Sequence, residues 1–166
     1  LSDNGSGNVA STESAEPFTG TTTSTFWLKA IDVLSESATG SIVGFGDSIT
    51  DGSCSTLDAH DRWQDWVAAR LYLASPDAHP AMVNEGIGGN TVTSEGVQPP
   101  PNSPPGIERL ERDVFSHDGV THVVLFMGTN DIRREVSAGS LIAGIEEIVE
   151  RIRERGLTDI GTTIIP

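Results

Sequence analysis

The sequence predicts an α/β domain built on a parallel β-sheet. Three observations carry this reading. From residue 41 onward, short apolar runs alternate with amphipathic stretches. The amphipathic stretches lie between the runs, as helices do in β–α–β crossovers. Polar, glycine-containing loops follow the runs, where the ligand-binding loops of an open parallel sheet lie.

Taken in order, 41–46 is the first strand, and 61–74 is a helix with Trp63, Trp66, Val67 and Leu71 on one stripe. The second strand is 81–84. The helix over 106–115 follows it, with Ile107, Leu110 and Val114 inward, and then the third strand at 121–127. The helix over 140–155 carries the most regular stripe, Leu141, Ile145, Ile148, Val149 and Ile152, and Gly156 is placed to end it. The last run, 158–165, reads as a buried strand with no closing helix behind it. Ahead of this core, residues 1–25 are rich in Ser, Thr, Gly and Asn and read as irregular chain, and 26–33 is strand-like. Residues 1–40 are therefore expected to be an N-terminal extension, whose strand either packs on the main domain or ends an upstream β-domain, and 41–166 the main domain, C-terminally incomplete. The Pro-rich stretch 98–105 is expected to be stiff, extended and exposed.

Composition removes several classes of function. The 166 residues carry a formal charge of −14, with 24 acidic against 10 basic side chains, which repels a phosphate backbone. Nucleic acid is not an expected partner. Cys54 is the single cysteine and has no disulfide partner within the chain. No Cys/His cluster has zinc spacing, so neither a metal nor a cofactor is expected. No apolar run approaches the ~20 residues that span a bilayer. The Ser/Thr-rich start without an initiator methionine fits a secreted protein, though it does not fix the compartment.

The loops carry the chemistry. After the first strand comes Gly44-Phe-Gly-Asp-Ser-Ile-Thr-Asp-Gly52, after the second Glu85-Gly-Ile-Gly-Gly-Asn-Thr91, and after the third Gly128-Thr-Asn-Asp131. Acyl transfer needs a hydroxyl nucleophile on a tight turn, a bare backbone amide and a further neutral donor. Ser48, Gly89 and Asn130 supply those three groups. Gly46-Asp-Ser48, then Asn84 with Gly89 five residues on, then Gly128-Thr-Asn-Asp131 resemble in order and spacing the first three motif blocks of the SGNH/GDSL hydrolases.

That resemblance covers about 41–166. It implies a flavodoxin-like three-layer α/β/α sandwich with strand order 2-1-3-4-5, here lacking its C-terminal strand and helix. It also implies that Ser48 is the nucleophile, that its own N–H, the Gly89 N–H and the Asn130 side chain form the oxyanion hole, and that Asp47 shapes the turn. The family's closing Asp-x-x-His is missing after Gly128. The resemblance therefore places the catalytic Asp and His beyond Pro166, on further sequence or on a second chain. The expected activity is hydrolysis of a small-molecule or carbohydrate ester; the alternative is a non-catalytic binding module or an inactive fragment of the same fold.

Other candidates have plainer readings. His60 is the one histidine in a loop on the expected active side, whereas His79, His117 and His122 fall at the opposite end of the strands. Asp51, Asp58 and Asp61 with His60 read as a solvated acidic loop and not as a cation site. Trp63 and Trp66 read as core and not as a sugar platform, Arg133 and Arg134 after the Asn130 loop as a solvated pair and not as a contact for an anionic substrate, and Cys54 as incidental.

Overall fold

The computed structural model describes residues 11, 13, 14, 16, 20, 30–97 and 103–164. The chain divides into two compact units, Leu1–Leu34 and Ser35–Pro166. In the first, residues 26–29 of the expected strand lie outside the described residues, and 30–33 form no strand. The second unit runs β1 (Ala38–Gly46), α1 (Ser48–Asp51), α2 (Trp63–Ala74), β2 (His79–Gly86), a 3-10 turn (Ser94–Gly96), α3 (Gly106–Leu110, continued by a π-helical turn, Glu111–Phe115), β3 (Val120–Phe126), α4 (Thr129–Arg133), α5 (Ala138–Glu154) and β4 (Thr158–Gly161).

All strand pairs are parallel and the order is β2-β1-β3-β4. These are the first four positions of the expected arrangement. β1 sits between two neighbours, so its backbone is paired on both sides and its end is fixed in space. From residue 38 onward the expected strands and long helices all appear, with ends shifted by a few residues. β4 is shorter than expected: it ends at Gly161, Thr162 still donates to the Leu125 carbonyl at 3.2 Å, and the last residue of the run lies outside the described residues. The short helices α1 and α4, read from sequence as loops, are new.

Side chains alternate across the sheet. Val43 and Phe45 of β1, with Val123 and Leu125 of β3, join Leu110 and Val114 of the α3 region and Leu141, Ile148 and Ile152 of α5 in one buried core. Burying a side chain such as Ile148 contributes about 1.5–3 kcal/mol. On α5, Ser137 caps the start by accepting from the Ser140 N–H at 3.1 Å, and Gly156 in the left-handed region (φ +71°) ends it. The α5 stripe is the expected one, with Gly144 added where the helix approaches Val92 and Thr93 too closely for a side chain.

On the opposite face α2 crosses β1 at Gly44, where Trp63 occupies the space a Cβ would need. This face corrects two expectations. Trp63 is half-buried against the sheet, but Trp66 is 63% exposed, because Trp63, Val67 and Leu71 repeat every fourth residue and leave Trp66 on the flank. The residue α2 buries fully is Gln64, not an apolar one. The Pro-rich stretch also departs from expectation: 98–102 lie outside the described residues, Pro104 is exposed, and Pro105 is buried at the start of α3.

Candidate active site

Ser48 opens α1 directly after β1. Four residues are far too few to form a stable helix alone. α1 exists because side chains satisfy its ends. Asp47 caps it, its carboxylate accepting from the Ile49 N–H at 3.0 Å. At the other end Gln64 Nε2 donates to the Thr50 carbonyl at 2.7 Å, and Arg62 Nε donates to the Asp51 carbonyl at 2.7 Å. Gly52, at φ +109°, turns the chain away and returns its N–H to the Ser48 carbonyl. Gly46 is required by packing, since a Cβ there would collide with Thr50. The result is a partly exposed Ser48 on a rigid turn, its hydroxyl making no hydrogen bond to any described residue. Asp47 is buried, which, with the nearby Asp131 charge, pushes its carboxyl above the ordinary carboxylate range despite the Ile49 hydrogen bond. It shapes the turn, as expected.

The loop after β2 lies against this turn. The Ile87 N–H donates to the Gly46 carbonyl at 3.1 Å, and Gly86 faces the Asp51 backbone with no space for a side chain. Gly89 sits in the left-handed region (φ +73°), closed by the Asn90 N–H to the Ile87 carbonyl. The loop after β3 completes the edge. Asn130 Nδ2 donates to the Asn90 carbonyl at 2.9 Å, one residue beyond Gly89. Asp131, fully buried, accepts from the Val92 and Thr93 N–H groups at 2.8 and 3.0 Å and from Thr93 Oγ1 at 3.0 Å. The three predicted loops thus meet at the carboxyl ends of β1, β2 and β3, with Ser48, Gly89 and Asn130 on them.

No histidine hydrogen-bonds to Ser48 among the described residues. His79 packs edge-on to Tyr72, and the His122 ring contacts Thr121 Oγ1 at 2.9 Å. The His117 ring reaches Glu85 Oε1 at 2.7 Å. His60 is exposed at φ +50°. In the same loop Asp61 accepts from the Thr56 N–H at 3.0 Å, its carboxyl pKa is lowered first by the Thr56 side chain and then by that backbone bond, and Cys54 is exposed. Among the described residues no group of three or more His, Cys, Asp or Glu side chains could hold a metal ion, and no helix is long and apolar enough to cross a membrane.

Two arginines make contacts that the sequence did not show. Arg109 is 1% exposed and lies across the underside of the site. Its Nη2 donates to the Gly46 carbonyl at 2.8 Å, Nη1 to the Glu85 carbonyl at 2.9 Å, and Nε to Asn90 Oδ1 at 2.9 Å. Asp113 balances it at 2.9 Å, and the Phe45 ring lies 4.1 Å away. One guanidinium therefore joins the ends of β1 and β2 to the Gly89 turn. The sequence signal was the pair Arg109 and Asp113 four residues apart on a helix that is otherwise apolar inward. The second is Arg134, read from sequence as solvated. Arg133 is exposed, but Arg134 is half-buried and its Nη1 donates to the Gly96 carbonyl at 2.8 Å.

The family model of the GDSL-like lipases and acylhydrolases matches residues 45–166. The chain belongs to that family. Similar solved structures include several esterases, and they share its fold. AlinE4, an SGNH-hydrolase family esterase, is 22% identical with a TM-score of 0.60; the match covers 78% of this chain and 60% of AlinE4. The psychrotrophic esterase EstA from Pseudoalteromonas sp. is 16% identical, with a TM-score of 0.57 over 75% of this chain and 60% of EstA. A two-domain esterase active on acetylated mannans is 22% identical, with a TM-score of 0.56 over 73% of this chain and 29% of that one. The chain thus spans less than two thirds of the length of these proteins. A search of curated proteins gives no match.

Proposed function

We propose that this GDSL-family hydrolase cleaves carboxylic esters through an acyl-enzyme on Ser48. Ser48 Oγ attacks the carbonyl carbon and gives up its proton, and the alcohol leaves protonated. Water then attacks the acyl carbon, the acid departs, and the hydroxyl is restored. The Ser48 and Gly89 N–H groups and the Asn130 amide stabilise the oxyanion. The single observation that carries this reading is the meeting of those three loops on one sheet edge, with the serine on a capped turn and its hydroxyl unengaged.

A base is still required. In this reading it is the family's Asp-x-x-His pair, supplied by sequence after Pro166 or by a second chain. Residues 41–166 are the hydrolase domain and 1–40 an extension. The substrate is a small-molecule or carbohydrate ester; the mannan-active relative of the same fold supports the second. EstA was solved inhibited by monoethylphosphonate, so the same class of reagent tests the nucleophile here. Treating the complete protein with an alkyl phosphonate activated as its 4-nitrophenyl ester is expected to add one phosphonyl group with release of 4-nitrophenolate, and peptide mass mapping is expected to place the group on Ser48. A folded protein that takes up no label there overturns the reading.

A further inference from the structure

Arg134 stands beside the proposed oxyanion hole with most of its donors unused. Its backbone N–H is bonded to the Asn130 and Asp131 carbonyls at 3.0 and 3.1 Å, so its Cα is fixed to the turn that carries Asn130. Nη1 is anchored on the Gly96 carbonyl. Nη2 lies 3.5 Å from the point a Cβ on Gly89 would occupy. Among the described residues no carboxylate lies within ion-pair distance of this guanidinium, although the chain carries a formal charge of −14. Two acids of the neighbouring loops are committed elsewhere: Asp131 to Val92 and Thr93, Glu95 to Ser140 Oγ at 3.0 Å. The other side of the turn has the opposite sign, with Asp51 Oδ2 3.8 Å from the Cβ position of Gly88.

An arginine stays charged at any accessible pH and offers a planar fork that fits a carboxylate. Held half-buried without a counter-ion, it gains most when an anion arrives from outside the chain. Resting on the reading of Gly89 and Asn130 as oxyanion donors, we infer that Arg134 is a specificity-determining residue that selects ester substrates carrying a carboxylate close to the scissile bond. Asp51 turns the same group away from the other side of the turn.

The test uses the complete protein and two pairs of esters, one for each side of the bond. Mono-(4-nitrophenyl) adipate against 4-nitrophenyl hexanoate places the carboxylate on the acyl group. 3-Acetoxybenzoate against 3-acetoxybenzamide places it on the leaving group. In one pair the parent is expected to prefer the anionic ester, and Arg134→Gln to lower the anionic-to-neutral ratio of kcat/KM by about 10- to 100-fold, mainly through KM. Arg134→Lys should keep part of the ratio, and added salt should lower it in the parent. Ratios that ignore Arg134→Gln in both pairs, or an equal loss on anionic and neutral esters, overturn the inference. Should Arg134→Gln not fold, a parent ratio indifferent to salt overturns it equally. If phosphonate labels Ser48 while the ratios do not respond, only the Arg134 inference falls; if Ser48 takes no label, both fall.

Discussion

Val43, Phe45, Val123 and Ile148 beneath the sheet and Asp47, Asn90, Arg109 and Asp131 at its carboxyl rim are buried to a similar depth, yet opposite forces hold them. The first group is apolar and gains from leaving water whatever its exact partners are. The second loses hydration and recovers it only through specific hydrogen bonds. Asp131 has three donors and Arg109 four acceptors, and every bond except the one from Arg109 to Asp113 four residues on joins a loop, strand end or helix to another element. The core therefore keeps the sheet together, while the rim fixes the relative positions of three loops far apart in sequence.

That contrast can be broken at the rim. The largest effect is expected from Arg109→Ala, which leaves the Gly46 and Glu85 carbonyls and Asn90 Oδ1 without their buried donor and leaves Asp113 with Arg112 alone. Urea denaturation should show a loss of about 3–5 kcal/mol. A loss under ~1 kcal/mol would mean that the rim is held by the core after all. Next comes Asn130→Ala, which is expected to lower kcat by about 10²–10³-fold on any ester the protein hydrolyses. Its unfolding midpoint should move far less than that of Arg109→Ala, because one hydrogen bond to the Asn90 carbonyl contributes only about 1 kcal/mol. Equal loss of stability in the two variants would make Asn130 a brace and not a donor.

The smallest effect sharpens the comparison through pH. Burial pushes the Asp113 carboxyl up, but hydrogen bonds from Arg112 and Arg109 outweigh it and leave the pKa below the ordinary value. A depressed carboxylate stabilises the fold above its unfolded pKa, and that contribution is lost as pH falls through the folded value. Glu85 works the other way, because burial raises it against the pull of His117, so its ionised form opposes folding at neutral pH. Asp113→Asn is therefore expected to be less stable than the parent near neutral pH, with the gap closing as the solution is acidified below about pH 4. A gap that stays constant with pH would show that the Arg109–Asp113 contact does not act through charge.

Much of this was legible beforehand. The α5 stripe could be read because helical period is a local property of consecutive residues, and the glycine-rich loops could be read because tight turns limit which residues fit. Trp66 could not, because the side of α2 that meets the sheet depends on where Gly44 leaves space. Nor could Pro105, which is buried only because α3 tucks its first turn under the Thr91 and Val92 carbonyls. Arg109 and Arg134 look alike on paper. One proves to be enclosed by β1, β2 and Asn90, the other to lie half-open beside Gly89.

By itself the sequence determined the order of strands and helices, the parallel sheet, and the three loops that carry Ser48, Gly89 and Asn130. Period, turn chemistry and motif spacing are all written within short stretches of chain. The tertiary structure alone decided which buried polar groups find partners, and hence that α1 is a helix, that Arg109 and Asp131 tie the loops together, and that Arg134 lies beside Gly89 with no ion-pair partner among the described residues. Those outcomes depend on groups dozens of residues apart arriving at hydrogen-bonding distance, and no local pattern encodes that.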